Sequence, residues 1–502
     1  MKKIIEQIKK MNKEELTYGI TYFVLSCFGI IYTAQKGIHL GMKFLCLLEV
    51  LVVGVLIGLY FITRNWMKKK VPLHKIYLAV AIVLGAFYIF AFPPGQLPDE
   101  QQDYERSLEI SEFGLITPMH QKTAGRKFSK NIDKVYKSYT YSELLKNSNL
   151  KLEGKKKFYP YANKSLYNFV CYIPQAIGIG LTHLIGLPIL SQIYFGKICN
   201  YALFVLLVYL SIKLIPTKKF LIFFTALLPI TIQEGASLSP DSMTIATSIA
   251  LISFILWSRN TDKVFTKKHY ISLASLAIAL SLCKIVYLPL CFLMFLIPKE
   301  RFGNLNKKKI YCIILSVIVI ILNLVWLKFT SKYLTAFHGR SNSTEQLQYI
   351  LSNPIRYILI LFTTIDVYLW SYLEQMVGHS LGRFVVGTSY VMSILAVYFL
   401  VNLTKEKNKE EKDFFNIWEK IFTGVMILGT IGLTFTSLYL QWTAVGAYAV
   451  DGIQGRYFIP LILPIAMIFM TKEKEVEKKD NLLSFALVQN VLALVAIITT
   501  FI

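Results

Sequence analysis

The stretch "FPPGQLPDEQQDYERS" (92–107) carries four acids, Asp99, Glu100, Asp103 and Glu105, and one base, Arg106. It follows an apolar run long enough to cross a bilayer. Pro93, Pro94, Gly95 and Pro98 stop that run and fix the chain as it leaves. A carboxylate at headgroup depth is partly desolvated. It can take a proton from a hydroxyl or hold a metal ion. Asp99 and Glu100 are therefore candidate catalytic acids. The same two residues also suit the N-cap and first turn of a helix over "DEQQDYERSLEIS".

Other charged residues recur where apolar runs end. "QEGASLSPDSMTIA" (233–246) places Glu234 and Asp241 between two spans. Lys284 interrupts "SLCKIVYLPL", a position where a base is costly unless paired. "HGR" (338–340) and "EQMVGHSLGRF" (374–384) supply His338, Arg340, His379 and Arg383. "DGIQGRYFIPLILP" (451–464) offers Gln454, Arg456 and Tyr457 next to Gly452 and Gly455, where backbone can approach closely. A guanidinium at a span mouth suits a phosphate through paired hydrogen bonds.

The elements that must position these residues follow from composition. Of 502 residues 55% are hydrophobic and 17% charged, too apolar for a soluble surface. Repeated runs approach the ~20 apolar residues a bilayer core requires. The expected fold class is an all-α polytopic membrane protein with about 13 spans. These lie near 17–35, 39–63, 76–93, 191–212, 219–236, 241–258, 269–283, 285–298, 309–329, 386–403, 419–440, 456–471 and 482–502. "MKKIIEQIKKMNKEEL" reads as an uncleaved basic start. Lysine-rich turns set the orientation with the N-terminus cytoplasmic. If 167–190, which contains Pro174, glycines and His183, lies as a surface helix, "KLIPTKK" (213–219) falls inside with the other lysines. The segment 353–370 is read the same way.

Five regions result: 1–93, three spans; 94–190, a first outer loop with the acids and an interfacial helix; 191–329, a six-span core; 330–385, a second outer loop; 386–502, four spans. Net charge is +24. Its scatter between spans argues against nucleic acid, whereas the lysines of the first loop beyond residue 120 form an external basic surface that attracts phosphates. The seven cysteines lie mostly in apolar runs without metal-ligand spacing. No internal repeat is visible, and Glu49 is one of few acids at mid-span, which disfavours a transporter.

"PPGQLPDEQQDYERSLEIS", "SLSPDSMTIA", "LCKIVYLPL" and "GIQGRYFIPLILP" together resemble the bacterial membrane family catalogued as domain of unknown function 2142, over roughly residues 75–470. More loosely, an acid pair in the first outer loop and an Arg at a late span mouth resemble the GT-C glycosyltransferases. The family usually has His where this chain has Asp103, while Arg106 matches. The looser resemblance implies a plasma-membrane enzyme that moves sugar from a polyprenyl-phosphate donor on the outer face. The acceptor would be an envelope glycan, a teichoic acid or a lipid. Asp99 would be general base, or ligand to a divalent cation, with Glu100 beside it. Arg456 and Lys284 would meet the phosphate, and Arg106, Asp241, Arg340, Arg383, Gln454 and Tyr457 would complete the substrate site. The alternatives are a polymerase or ligase of lipid-linked glycans and a lipid-glycan flippase.

Overall fold

A computed structural model describes residues 42–121, 123–138, 141–333, 341–405, 415–469 and 479–501. The expected span at 17–35, and Arg340 with His338, lie outside the described residues.

Among the described residues, eight helices are long and apolar enough to cross a membrane: Leu48–Lys68, Leu73–Ala91, Ile189–Leu214, Asp241–Asn260, Leu305–Tyr333, Pro354–Met376, Ile417–Gln441 and Asn481–Phe501. The expected count of about 13 is not reached by this measure. The reason is local. The run at 219–236 splits into Lys219–Ala226 and Pro229–Gly235, because Pro229 cannot donate a helical hydrogen bond. Pro289 and Pro460 likewise sit in runs built from 3₁₀ turns and short helices. Two small sheets also correct the all-α expectation. One is three-stranded and antiparallel, Met119–His120, Thr123–Ser129 and Lys156–Pro160; the other is a hairpin of Ser380–Leu381 with Val386–Gly387.

The bundle has two distinct ends. Phe90 meets Tyr194 and His74 meets Tyr209, with ring centres 5.0 Å apart in both cases. Leu73–Ala91 and Ile189–Leu214 are therefore antiparallel. The turn at 68–75 and "KLIPTKK" consequently share one end, the lysine-rich end. Gly85 permits this packing, since a Cβ there would lie 1.9 Å from the Tyr201 ring. Residues 94–188 leave and re-enter at the opposite end, as a lobe.

Within the lobe, Ile173–Leu184 has 12 residues, or ~18 Å of helix, well short of a bilayer core. It packs backbone to backbone on Ile189–Leu214, where a Cβ on Gly178 would come 2.4 Å from the Phe195 carbonyl oxygen. Small residues allow such close approach. Its outer side exposes Ile177, Leu181 and Leu184.

Pro354–Met376, expected as a surface helix, is long and apolar enough to cross a membrane, and it packs against Ile417–Gln441. Tyr357 hydrogen-bonds Thr436 at 2.7 Å, and Tyr372 meets Phe435 with ring centres 6.5 Å apart. Tyr357 also meets Tyr439, with ring centres 5.4 Å apart, so the two helices cross at an angle rather than lie alongside. Its C-terminal turn docks on Gly455, where a Cβ would lie 2.3 Å from the Tyr372 carbonyl oxygen.

Candidate functional site

The end opposite the lysine-rich turns holds a cavity of about 250 Å³. Asp99, Lys164, Lys284, Gln454 and Tyr457 supply polar wall, and Trp326, Leu327, Leu438 and Trp442 supply apolar wall. Such a mixture suits a ligand with one charged end and one greasy end.

Asp99 reaches this wall through its backbone. It precedes the helix Glu100–Ser111 with φ 56°, in the left-handed region, and its side chain makes no cap hydrogen bond. The expectation that it caps the helix is therefore corrected. Asp tolerates this conformation better than most residues, at a cost of about 1 kcal/mol. Its carboxylate instead meets the Lys164 ammonium at 3.2 Å and remains 53% exposed. Lys164 also contacts Asp103 at 3.1 Å, and the Tyr172 hydroxyl donates to Asp103 at 2.8 Å. The Lys164 charge holds Asp99 below the usual carboxylate range. Burial pushes Asp103 up to about 7, against the pull of Lys164 and Tyr172.

A second charge group faces the first. Asp241, on the first turn of Asp241–Asn260, accepts a hydrogen bond from Lys284 at 3.1 Å through one oxygen and forms an ion-pair contact with Arg456 Nε at 3.1 Å through the other. Arg456 also donates to Glu234 at 3.0 Å. Lys284 sits 4.0 Å from the centre of the Tyr457 ring, a cation–π contact. The Tyr287 hydroxyl holds the Tyr457 carbonyl at 2.8 Å, and the Gly455 N–H donates to Gln375 at 3.0 Å. Gln454 lines the cavity and its buried Oε1 has no hydrogen-bond partner among the described residues. Glu234, Asp103 and Arg456 border one narrow cleft behind the cavity, so the two charge groups are neighbours. Arg383 approaches from the 374–384 segment, with Nε 3.4 Å from the Leu97 carbonyl.

Two expected site residues stand apart. The Glu100 carboxylate is 1% exposed. It pairs with Lys197 at 2.7 Å, whose side chain is fully buried, and accepts the Gly95 N–H at 2.7 Å. Glu100 borders the same narrow cleft as Asp103, Glu234 and Arg456, but its carboxylate is engaged by Lys197 and the Gly95 N–H, which suits a role in fixing the proline turn. Arg106 is also fully buried. Its guanidinium is occupied by Glu109 at 2.5 Å, the Leu115 carbonyl at 2.7 Å, and the Gly114 carbonyl and Thr117 hydroxyl, each at 3.1 Å. It closes the turn after its helix, and its buried Nε has no hydrogen-bond partner among the described residues. Glu49, which had no evident partner in the sequence, is buried and accepts a hydrogen bond from Thr499 at 3.4 Å.

The structure adds Lys164, Tyr167 and Tyr172, which the sequence reading passed over. A lone lysine just ahead of "LYNFVCYIPQ" was the available signal, since it is too close to an apolar run to be mere solvated surface. Metal binding finds little support in the donor set. Among the described residues no group of three or more His, Cys, Asp and Glu converges, and the cavity carboxylates are engaged by Lys164, Lys284 and Arg456.

Neither a curated protein nor a solved structure matches the chain. The family described as "Predicted membrane protein (DUF2142)" matches over residues 82–465. That range takes in Asp99, Lys164, Asp241, Lys284 and Arg456, and spans well over half of the sequence. The chain is a membrane protein that belongs to this family.

Proposed function

We propose that the chain is a GT-C-like glycosyltransferase of the plasma membrane, using a polyprenyl-phosphate sugar on its outer face, with Asp99 as general base. One observation carries the reading: a half-exposed, ionised carboxylate shares a cavity with two cations and an apolar, tryptophan-lined wall. The tryptophans and leucines suit the first isoprene units, and the cations suit the phosphate. An acceptor hydroxyl beside Asp99 attacks the anomeric carbon and passes its proton to the carboxylate. The bond from that carbon to the phosphate oxygen breaks, and the phosphate leaves with the electron pair toward Lys284 and Arg456. Attack and departure on opposite sides invert the anomeric centre. Asp99, held ionised by Lys164, is ready as acceptor of the proton at neutral pH, and a base so placed contributes roughly 10²–10⁴-fold in rate.

The test is transfer by purified protein in nanodiscs with a polyprenyl-phosphate sugar. Asp99→Asn preserves size and the left-handed backbone, so folding should survive while transfer falls by about that factor. Wild-type transfer by this variant would remove the reading.

A further inference from the structure

The lobe between Met119 and Pro160 holds eleven Lys and Arg against three Asp and Glu. Eight of those lysines are exposed. The antiparallel pairing sets Lys127 opposite Phe158 and Ser129 opposite Lys156, so Lys127 and Lys156 share one face as diagonal neighbours, ~7–8 Å apart at the backbone. Just past the strand ends, the Lys130 N–H donates to the Lys155 carbonyl at 2.9 Å, which sets those two side by side. Among the described residues none of these four lysines forms an ion pair; Asp133 is taken by Lys157 and Glu112 by Arg126. The Lys156–Pro160 strand then runs directly into Asn163, Lys164 and Tyr167 on the cavity wall.

We propose that this basic row is the dock for a linear, phosphate-bearing acceptor chain, whose end it delivers along the strand to the cavity. The proposal rests on the glycosyltransferase reading and names the acceptor class. Cations spread along the strands and past their ends match a polymer with repeated phosphates better than they match one small anion. Anionic lipid headgroups would offer the same chemistry. However, the side of the lobe that exposes a continuous apolar strip is Ile173–Leu184, which carries no Lys or Arg, whereas interfacial helices usually carry such bases on their polar face. The lysines sit on the sheet instead.

The experiment measures binding of inorganic polyphosphate to the full chain in phosphatidylcholine nanodiscs. The quadruple variant Lys127→Gln, Lys130→Gln, Lys155→Gln, Lys156→Gln removes only exposed charge. It should weaken binding at least about tenfold at low salt and flatten the dependence of affinity on salt. The same change at exposed lysines of the other end, Lys267, Lys268, Lys307 and Lys309, should leave affinity within about twofold of wild type, since those charges lie more than a screening length away. Asp99→Asn should bind polyphosphate as wild type does. Loss of transfer with binding retained thus separates the base from the dock, and tight binding by a wild type that transfers no sugar would sink the enzyme reading alone. Unchanged affinity in the sheet variant overturns the dock. So does loss of polyphosphate binding by wild type in phosphatidylglycerol nanodiscs at matched salt, which would place the row against headgroups.

Discussion

Asp99 and Glu100 are adjacent acids with opposite surroundings. Glu100 is sealed against Lys197 and a backbone amide, while Asp99 stands half-exposed at a cavity wall. The difference comes from one backbone step. A left-handed residue at 99 turns its side chain away from the helix that begins at 100. Arg456 and Arg106 repeat the contrast: both match motifs, but Arg456 borders the cleft beside the cavity, whereas Arg106 is tied to Glu109 and its own turn. A charged motif at a span mouth can therefore mark a reacting group or a structural clasp, and burial tells them apart.

The sharpest way to break this contrast is to remove the partners rather than the acids. Lys197→Ala leaves the Glu100 charge buried and alone. Loss of one partner from such a pair costs about 3–5 kcal/mol, so Lys197→Ala should lower the unfolding midpoint strongly or prevent accumulation of folded protein. Lys197→Ala with Glu100→Gln should recover much of that loss. Removing the partner of Asp99 should change the chemistry, with a stability loss smaller than that of Lys197→Ala because Asp103 keeps its Tyr172 hydrogen bond. Lys164→Gln lifts the charge that depresses Asp99. Activity that needs ionised Asp99 is present above its pKa and lost as pH falls through it, so the acid limb of the pH–rate profile should move to higher pH. An unmoved limb would mean that Asp99 does not carry it. Arg456→Lys, which keeps charge but loses the planar fork, should weaken donor affinity by about tenfold or more, and Arg106→Lys should act on thermal stability instead. The smallest effect concerns Glu105, in the same helix. Burial pushes it up to about 8, although Gln101 donates a hydrogen bond to it. A raised carboxyl gives stability that is full below its unfolded value near ~4.3 and lost as pH rises through about 8. Glu105→Gln should flatten the fall in melting temperature across roughly pH 5 to 9.

Most of the scaffold was legible because the bilayer demands it. Apolar runs, lysine-rich turns and proline stops come from solvation and backbone chemistry within a few residues. The site was legible in part for the same reason: Asp99, Asp241, Lys284 and Arg456 are charges where a membrane tolerates few. What escaped was non-local. Lys164 comes to Asp99 across 65 positions through the packing of the lobe, and no spacing rule encodes that. The three-stranded sheet hid because its strands are short and lysine-rich. The docking of Pro354–Met376 on Gly455, where a Cβ would meet the Tyr372 carbonyl, is likewise non-local.

Asp241 grips Lys284 with one oxygen and Arg456 with the other. With Glu234 also on Arg456, both cations are thus paired before any ligand arrives. A phosphate that takes them must displace that carboxylate, and the freed carboxylate, still enclosed, is stabilised by capturing a hydrogen ion from solvent. Ligand entry is then linked to net proton uptake. The heat of donor binding should vary with the ionisation enthalpy of the buffer, and affinity should fall as the medium becomes alkaline, a calorimetric signature that a cavity with free cations would not produce.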